Sequence, residues 1–130
     1  MTAQVWYFCH VGEWVVVVDD DDPVREAIAD VLVEDGYDVR VARDGVEALQ
    51  LLKSVPRPCV ALIDLVMPRV DGWELVRAIH ADPKMGDIPV IVSSAGREEP
   101  PEGCAAVLHK PFDYLALGQA VRAAFATIHR

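Results

Sequence analysis

Four consecutive valines, Val15–Val18, run directly into four consecutive aspartates, Asp19–Asp22. A short all-valine run is typical of a strand that is buried on both faces, as in parallel sheets. Carboxylates held close together at the end of such a strand oppose one another's ionisation, and a hard cation such as Mg²⁺ relieves that repulsion. Taken alone, the aspartate run fits better with a solvated acidic loop ahead of a helix, so the rest of the chain decides between the two.

Strand-like runs alternate with amphipathic helical patterns along the chain. The strand-like runs are 15–18, 37–41, 59–63, 88–92 and 105–108. Their order predicts five βα units, and hence a parallel sheet covered by helices on both faces. The 37–41 run alternates apolar and polar residues, which favours a position near the edge of the sheet.

Polar residues follow four of the predicted strands. Ligands of parallel α/β sheets bind beyond the carboxyl ends of the strands, so this coincidence carries more weight than the aspartate run alone. The residues concerned are Asp19 and Asp20, Asp64, Ser93 and Ser94, and Lys110.

Aspartates also mark the predicted starts of helices. Asp22 is expected to cap the first helix, with Pro23 at its first position, whereas Asp21 is expected to add only negative charge. Asp44 and Asp71 are each followed three residues later by a glutamate, which is the pattern of a capping box. Asp71 is therefore interpreted as a helix cap and not as a site residue.

Composition limits the function classes. The net charge of −9 argues against nucleic acid or an anionic membrane as the direct partner. No apolar run is long enough to cross a bilayer, and the apolar start of the chain lacks the basic region of a signal peptide. Three scattered cysteines without CxxC spacing indicate reduced thiols and a cytoplasmic protein.

An ordered set of short motifs is similar to the receiver domain of two-component response regulators. The resemblance covers residues 15–128. It rests on Val17-Val18-Asp19-Asp20, on Asp64 followed by Met67-Pro68 and Asp71-Gly72, on the run from Pro89 to Ala95, and on Lys110-Pro111-Phe112. As a fold, the resemblance implies a flavodoxin-like (βα)₅ doubly wound sheet with strand order 2-1-3-4-5 and a domain spanning 14–130.

The same resemblance implies a role for each site residue. Asp64 corresponds to the phosphoacceptor, which takes a phosphoryl group from a histidine kinase or a histidine phosphotransfer protein. Asp20, Asp64 and the backbone carbonyl of Val66 correspond to ligands of Mg²⁺ or Mn²⁺, with Asp19 acting through a water molecule on that ion. Lys110 and Ser94 correspond to the cation and the hydroxyl that contact the phosphoryl oxygens. Composition alone does not separate Ser94 from Ser93, and only the family spacing from Pro89 selects it.

Two departures from the family pattern concern its switching surface. Val107 stands where family members carry an aromatic residue that changes rotamer. Lys110 follows Ser94 by only 16 positions, fewer than family members usually have. The intervening 95–103 contains two prolines and two glycines, so the helix between the fourth and fifth strands is expected to be shortened or missing. Residues 1–13 form an N-terminal extension, for which an extra edge strand, a cover over the face bared by the shortened helix, a role in homodimer formation and a disordered start are left open.

The leading hypothesis is a stand-alone receiver that is not an enzyme beyond slow self-dephosphorylation and that signals to an unknown downstream protein. The alternative is a receiver-like docking or adaptor module in which phosphorylation is weak or dispensable. A Mg²⁺-dependent phosphohydrolase fits less well, because Asp64 starts no DxD motif and Val66 occupies the place of its general acid.

Overall fold

A computed structural model describes residues 12–67, 71–96 and 98–129 of the 130-residue chain. Most of the 1–13 extension, Pro68 of the family motif and Arg97 lie outside these ranges. The described residues form a five-stranded parallel sheet in the order β2-β1-β3-β4-β5. The strands are β1 (Trp14–Val18), β2 (Asp38–Ala42), β3 (Cys59–Asp64), β4 (Val90–Ser94) and β5 (Ala106–His109).

Two helices cover each face of the sheet. They are α1 (Asp22–Glu34), α2 (Gly45–Ser54), α3 (Gly72–Ala81) and α4 (Tyr114–Ile128). α2 and α3 pack on the face that carries Val16, Val18 and Ile63, and α1 and α4 pack on the other face. The predicted strand order is thus confirmed, and β2 lies at an edge of the sheet as its alternating pattern indicates. None of the helices in the described ranges is long and apolar enough to cross a membrane.

The fourth strand begins two residues later than the sequence pattern predicts. The expected run is 88–92, whereas β4 spans Val90–Ser94. The N–H of Ile88 bonds to the carbonyl of Met85 in the preceding turn, and Pro89 has no N–H to offer to the ladder. The shift brings Ser93 and Ser94 into the strand itself.

The prediction of a shortened or missing helix between the fourth and fifth strands, made from the prolines at 100 and 101, is confirmed for the described residues. The described residues between β4 and β5, 95–96 and 98–105, contain no helix. We call this segment the connector. It is held to α3 by a 2.9 Å hydrogen bond from Trp73 Nε1 to the carbonyl of Glu99, and the two enclose a groove of about 740 Å³.

Each helix begins at an aspartate whose carboxylate accepts a main-chain N–H, but the first cap is one residue earlier than predicted. Asp21 caps α1 by accepting from the N–H of Val24, and Asp22 is the first residue of the helix. Asp22 instead pairs with Arg25 one turn on. Asp71 caps α3, as predicted.

Candidate functional site

The ends of β1 and β3 bring three carboxylates together. β1 and β3 are neighbours in register, with Val18 opposite Ile63, so the residues that follow them emerge side by side. One carboxylate oxygen from each of Asp19, Asp20 and Asp64 lies within 4.8 Å of the other two. We call these three residues the acidic cluster.

The members of the acidic cluster differ in burial. Asp19 is 1 % exposed and Asp64 is 7 % exposed, whereas Asp20 is open to solvent. Two ionisable groups are thus held in the protein interior, with one face of the cluster reachable from outside. Such an arrangement is costly unless opposite charge is supplied.

Lys110 supplies one positive charge from the end of β5. Its Nζ lies 3.4 Å from Asp19 Oδ2 and 3.5 Å from Asp64 Oδ2, so it bridges the two buried carboxylates. The Lys110–Pro111 peptide bond is cis. Three carboxylates facing one ammonium group leave two negative charges uncompensated within this set.

Burial raises the pKa of Asp64 above its ordinary value. The neighbouring Lys110 ammonium lowers this pKa, the Asp19 carboxylate raises it, and a 3.3 Å hydrogen bond from the N–H of Val66 lowers it. The net direction is upward, so the ionised form of Asp64 is held in the folded protein at a cost in free energy.

The donor set fits a small divalent cation. Carboxylate oxygens are hard ligands of the kind that Mg²⁺ and Mn²⁺ prefer, and two uncompensated charges match the charge of such an ion. Asp20 is placed to offer its carboxylate from the open side. The predicted carbonyl ligand, Val66, lies two residues beyond Asp64, and its contribution stays a prediction.

Ser94 occupies the end of β4 but is not in hydrogen-bond contact with the acidic cluster. Its hydroxyl accepts from the N–H of Gly96 at 3.2 Å and donates to Glu98 Oε2 at 3.2 Å. Ser93 lies opposite Asp64 in the sheet register. Both serines are buried, so burial does not show which of the two contacts the phosphoryl group.

Arg25 is a buried residue at the site that the sequence pattern does not single out. Its Nη1 donates a 2.9 Å hydrogen bond to the carbonyl of Asp19, and its Nη2 pairs with the carboxylate of Asp22. The N–H of Asp21 in turn donates to Asp19 Oδ1 at 2.9 Å. The backbone and side chain of Asp19 are therefore both held in place. An arginine three residues after an aspartate at a helix start is the only sequence signal for this contact.

The chain belongs to the response regulator receiver family. The family model for the response regulator receiver domain matches residues 15–122, most of the chain. This match agrees with the strand order, with the acidic cluster and with the lysine at the end of β5 described above.

Curated response regulators are similar to this chain over most of its length. Response regulator RR06 of Streptococcus pneumoniae is 36% identical over 115 residues, which are 84% of this chain and 51% of that protein. Response regulator MprA of Mycobacterium ulcerans is 40% identical over 101 residues, covering 78% of this chain and 42% of that protein. The chain thus spans about half the length of these relatives or less.

Solved receiver structures share its fold. A CheY-like receiver domain protein from Methanospirillum hungatei superposes with a TM-score of 0.79 at 26% identity, covering 92% of this chain and 99% of that one. The chemotaxis protein CheY4 of Vibrio cholerae gives a TM-score of 0.75 at 29% identity, covering 86% of this chain and 98% of that one.

Proposed function

We propose that this chain is a phosphoacceptor that takes a phosphoryl group onto Asp64 from a phosphohistidine of a partner protein, in a reaction that depends on Mg²⁺. The observation that carries the proposal is the bridging position of Lys110 between two buried carboxylates at neighbouring strand ends. If Lys110 and the two buried carboxylates only stabilised the fold, a third carboxylate on the open side of the cluster would not be needed. The family of the chain supports the same role.

The chemistry is the formation of an acyl phosphate. An oxygen of Asp64 attacks the phosphorus of the phosphohistidine; the new P–O bond forms as the P–N bond breaks, and the imidazole nitrogen leaves with the electron pair and takes up a proton. Asp64 attacks as the carboxylate. Because Asp64 is buried, this nucleophile is poorly hydrated. Lys110 provides a fixed positive charge for the oxygens of the transferred group.

Mg²⁺ would be held by Asp20 and Asp64, together with Asp19 in its fixed position. The ion, when bound, offsets the charge of the phosphoryl oxygens and lets an anionic nucleophile approach an anionic donor. Arg25 contributes by fixing the backbone of Asp19. The exposed side of the cluster at Asp20 provides the entry path.

A shallow apolar cavity beside Lys110 is the surface where the histidine-bearing partner is proposed to dock. It encloses about 200 Å³ between α1 and the segment that joins β5 to α4. Its lining residues are Val24, Ala27, Ile28, Lys110, Pro111, Phe112 and Tyr114. Because Lys110 belongs both to this cavity and to the site, a partner seated there holds its phosphohistidine within reach of Asp64.

The test uses a small phosphodonor, which removes the need for the partner. The purified chain is incubated with acetyl phosphate and Mg²⁺, and the intact mass is followed over time. We expect one phosphoryl adduct on wild type and on Asp30→Asn, and no adduct on Asp64→Asn. Asp30 is an exposed aspartate on α1, so its substitution controls for the loss of one negative charge.

Other outcomes favour the other functions. Wild type that stays unmodified at saturating Mg²⁺ would favour the docking or adaptor module. Rapid continuous consumption of acetyl phosphate would favour a phosphohydrolase, whereas the proposal includes only slow self-dephosphorylation. The proposal places the chain in the cytoplasm and its output in protein contacts.

A further inference from the structure

The hydroxyl of Ser94 is already engaged both as a donor and as an acceptor. It accepts from the N–H of Gly96 and donates its one proton to Glu98 Oε2, each over 3.2 Å. A serine hydroxyl has a single proton to donate. Ser94 therefore cannot donate to a phosphoryl oxygen while its bond to Glu98 is intact.

Ser94 nevertheless lies at the correct end of the sheet to serve the site. It is 2 % exposed, it ends the strand that neighbours β3, and its carbonyl accepts a 2.8 Å hydrogen bond from the N–H of Lys110. The carboxylate of the exposed Glu98 thus reaches this buried residue from the connector.

The backbone next to Ser94 accommodates this glutamate. A Cβ placed on Gly96 would come within 2.0 Å of Glu98 Oε2 and 2.4 Å of Oε1, so a side chain at 96 and the carboxylate in its present position exclude each other. The absence of a side chain at Gly96 is what lets Glu98 reach Ser94.

The connector carries the consequence of this contact to α3. Trp73 Nε1 donates to the carbonyl of Glu99, the residue directly after Glu98. The Glu98–Ser94 contact and the Trp73 anchor are therefore one residue apart along the connector. Val107, which has no ring to reorient, packs instead among the apolar residues of the α2 and α3 face.

We propose that Glu98 is a positioning residue that competes with the phosphoryl group on Asp64 for the hydroxyl of Ser94. This inference rests on the proposed function of Asp64. A dianionic phosphoryl group repels the Glu98 carboxylate and draws the Ser94 proton, so phosphorylation releases the connector from Ser94 and loosens its bond to Trp73. Glu98 therefore slows phosphorylation, and its release is the conformational signal.

Two kinds of variant test the competition. Glu98→Ala removes the acceptor, and Gly96→Ala displaces the carboxylate without changing the charge of the chain. With acetyl phosphate and Mg²⁺, both are expected to acquire the adduct about three- to tenfold faster than wild type, the range that corresponds to the net strength of an ordinary hydrogen bond in a folded protein. Glu98→Gln keeps an oxygen acceptor and is expected to give an intermediate rate.

Glu102→Gln is the matched control, because it removes the same charge from an exposed position of the same connector. Its phosphorylation rate is expected to match that of wild type within twofold. Equal rates in wild type, Glu98→Ala and Gly96→Ala would overturn the inference. Equal acceleration in Glu98→Ala and Glu102→Gln, with Gly96→Ala at the wild-type rate, would also overturn it, since general charge repulsion would then explain the effect.

Trp73 provides a second measurement that does not depend on phosphorylation. The emission of Trp73, obtained as the difference from Trp73→Phe, is expected to shift in resting Glu98→Ala in the same direction as in phosphorylated wild type. An unshifted emission in Glu98→Ala would overturn the link between Glu98 and the connector. Absence of any adduct in wild type and in Asp64-intact variants would instead contradict the proposed function, so the two failures are distinguishable.

Discussion

The main-chain N–H of Lys110 donates a 2.8 Å hydrogen bond to the carbonyl oxygen of Ser94. This bond extends the β4–β5 ladder by one residue beyond the end of β5 and fixes the start of the Lys110 side chain relative to the end of β4. The ammonium group that bridges Asp19 and Asp64 is therefore positioned by the sheet and not by a free loop.

Replacing Lys110 is expected to separate phosphorylation from metal binding. In Lys110→Ala the rate of adduct formation with acetyl phosphate should fall about 10²-fold, as for the loss of one preorganised charge donor. The affinity for Mg²⁺ should rise, because the ammonium no longer repels the ion. Adduct formation by intact mass and a Mg²⁺ titration measure the two effects. Lys84→Ala is the control, because Lys84 is an exposed lysine. A phosphorylation rate of Lys110→Ala within twofold of wild type would contradict the role of Lys110 at the phosphoryl oxygens.

Mg²⁺ is expected to stabilise the folded chain through the acidic cluster. At a concentration 100 times its Kd, a ligand of the folded state alone adds about 2.7 kcal/mol to the free energy of unfolding. The resulting rise in Tm should be lost or strongly reduced in Asp20→Asn, which leaves the core packing unchanged because Asp20 is exposed. Thermal unfolding with Mg²⁺ and with EDTA gives the measurement. Asp30→Asn should keep the full rise, and equal rises in both variants would place the ion elsewhere.

The raised pKa of Asp64 predicts a specific dependence of stability on pH without metal. A raised folded-state pKa means that the folded protein binds the proton more tightly than the unfolded chain, so this group lowers stability as pH rises through that pKa. In EDTA at neutral pH, Asp64→Asn should therefore be more stable than wild type, because the amide avoids the cost of burying a charged carboxylate.

The difference between Asp64→Asn and wild type should shrink as the pH falls and Asp64 takes up its proton. Denaturant unfolding at a series of pH values measures it. The phosphorylation rate of wild type should decrease over the same pH range, because the carboxylate is the nucleophile. A difference in stability that is independent of pH would contradict the direction assigned to the pKa.

Gly72 is expected to tolerate no side chain. A Cβ at this position would lie 2.4 Å from the Cα of Leu65 and 2.8 Å from the carbonyl oxygen of Asp64, and both are backbone atoms that cannot rotate away. Gly72→Ala should destabilise the fold by about 1–3 kcal/mol and slow phosphorylation by moving the Asp64 backbone. Gly118→Ala is the control in α4, where the new Cβ meets Asp35 Oδ2 at 3.7 Å and helix propensity improves. Equal effects in the two variants would contradict the close approach at Gly72.

Much of the fold can be predicted from local hydrophobic patterns in the sequence. Buried runs such as Val15–Val18 and Cys59–Ile63 indicate interior strands, and the alternating run at 37–41 indicates a strand near an edge. The carboxylates that follow the two interior strands then meet because those strands are neighbours, which the family resemblance implies and the register shows.

The parts that the pattern misplaces or omits depend on competition between equivalent groups. Asp21 and Asp22 are both suitable caps, and Asp22 loses that position because its carboxylate pairs with Arg25. The start of β4 depends on the turn bond of Ile88, which has no sequence signature. The contact between Glu98 and Ser94 depends on the path of the connector, and a stretch with no regular secondary structure gives no periodicity from which to read it.

The replacement of a helix by the connector has a consequence for signalling fidelity. A helix between the fourth and fifth strands would present a row of side chains at helical spacing, whereas here Pro100 and Pro101 line a groove together with Trp73. A protein that binds such a helical row would not find that row between β4 and β5 in the described residues. We expect this difference in shape to weaken binding of such a protein, even where the chemistry of the acidic cluster is shared.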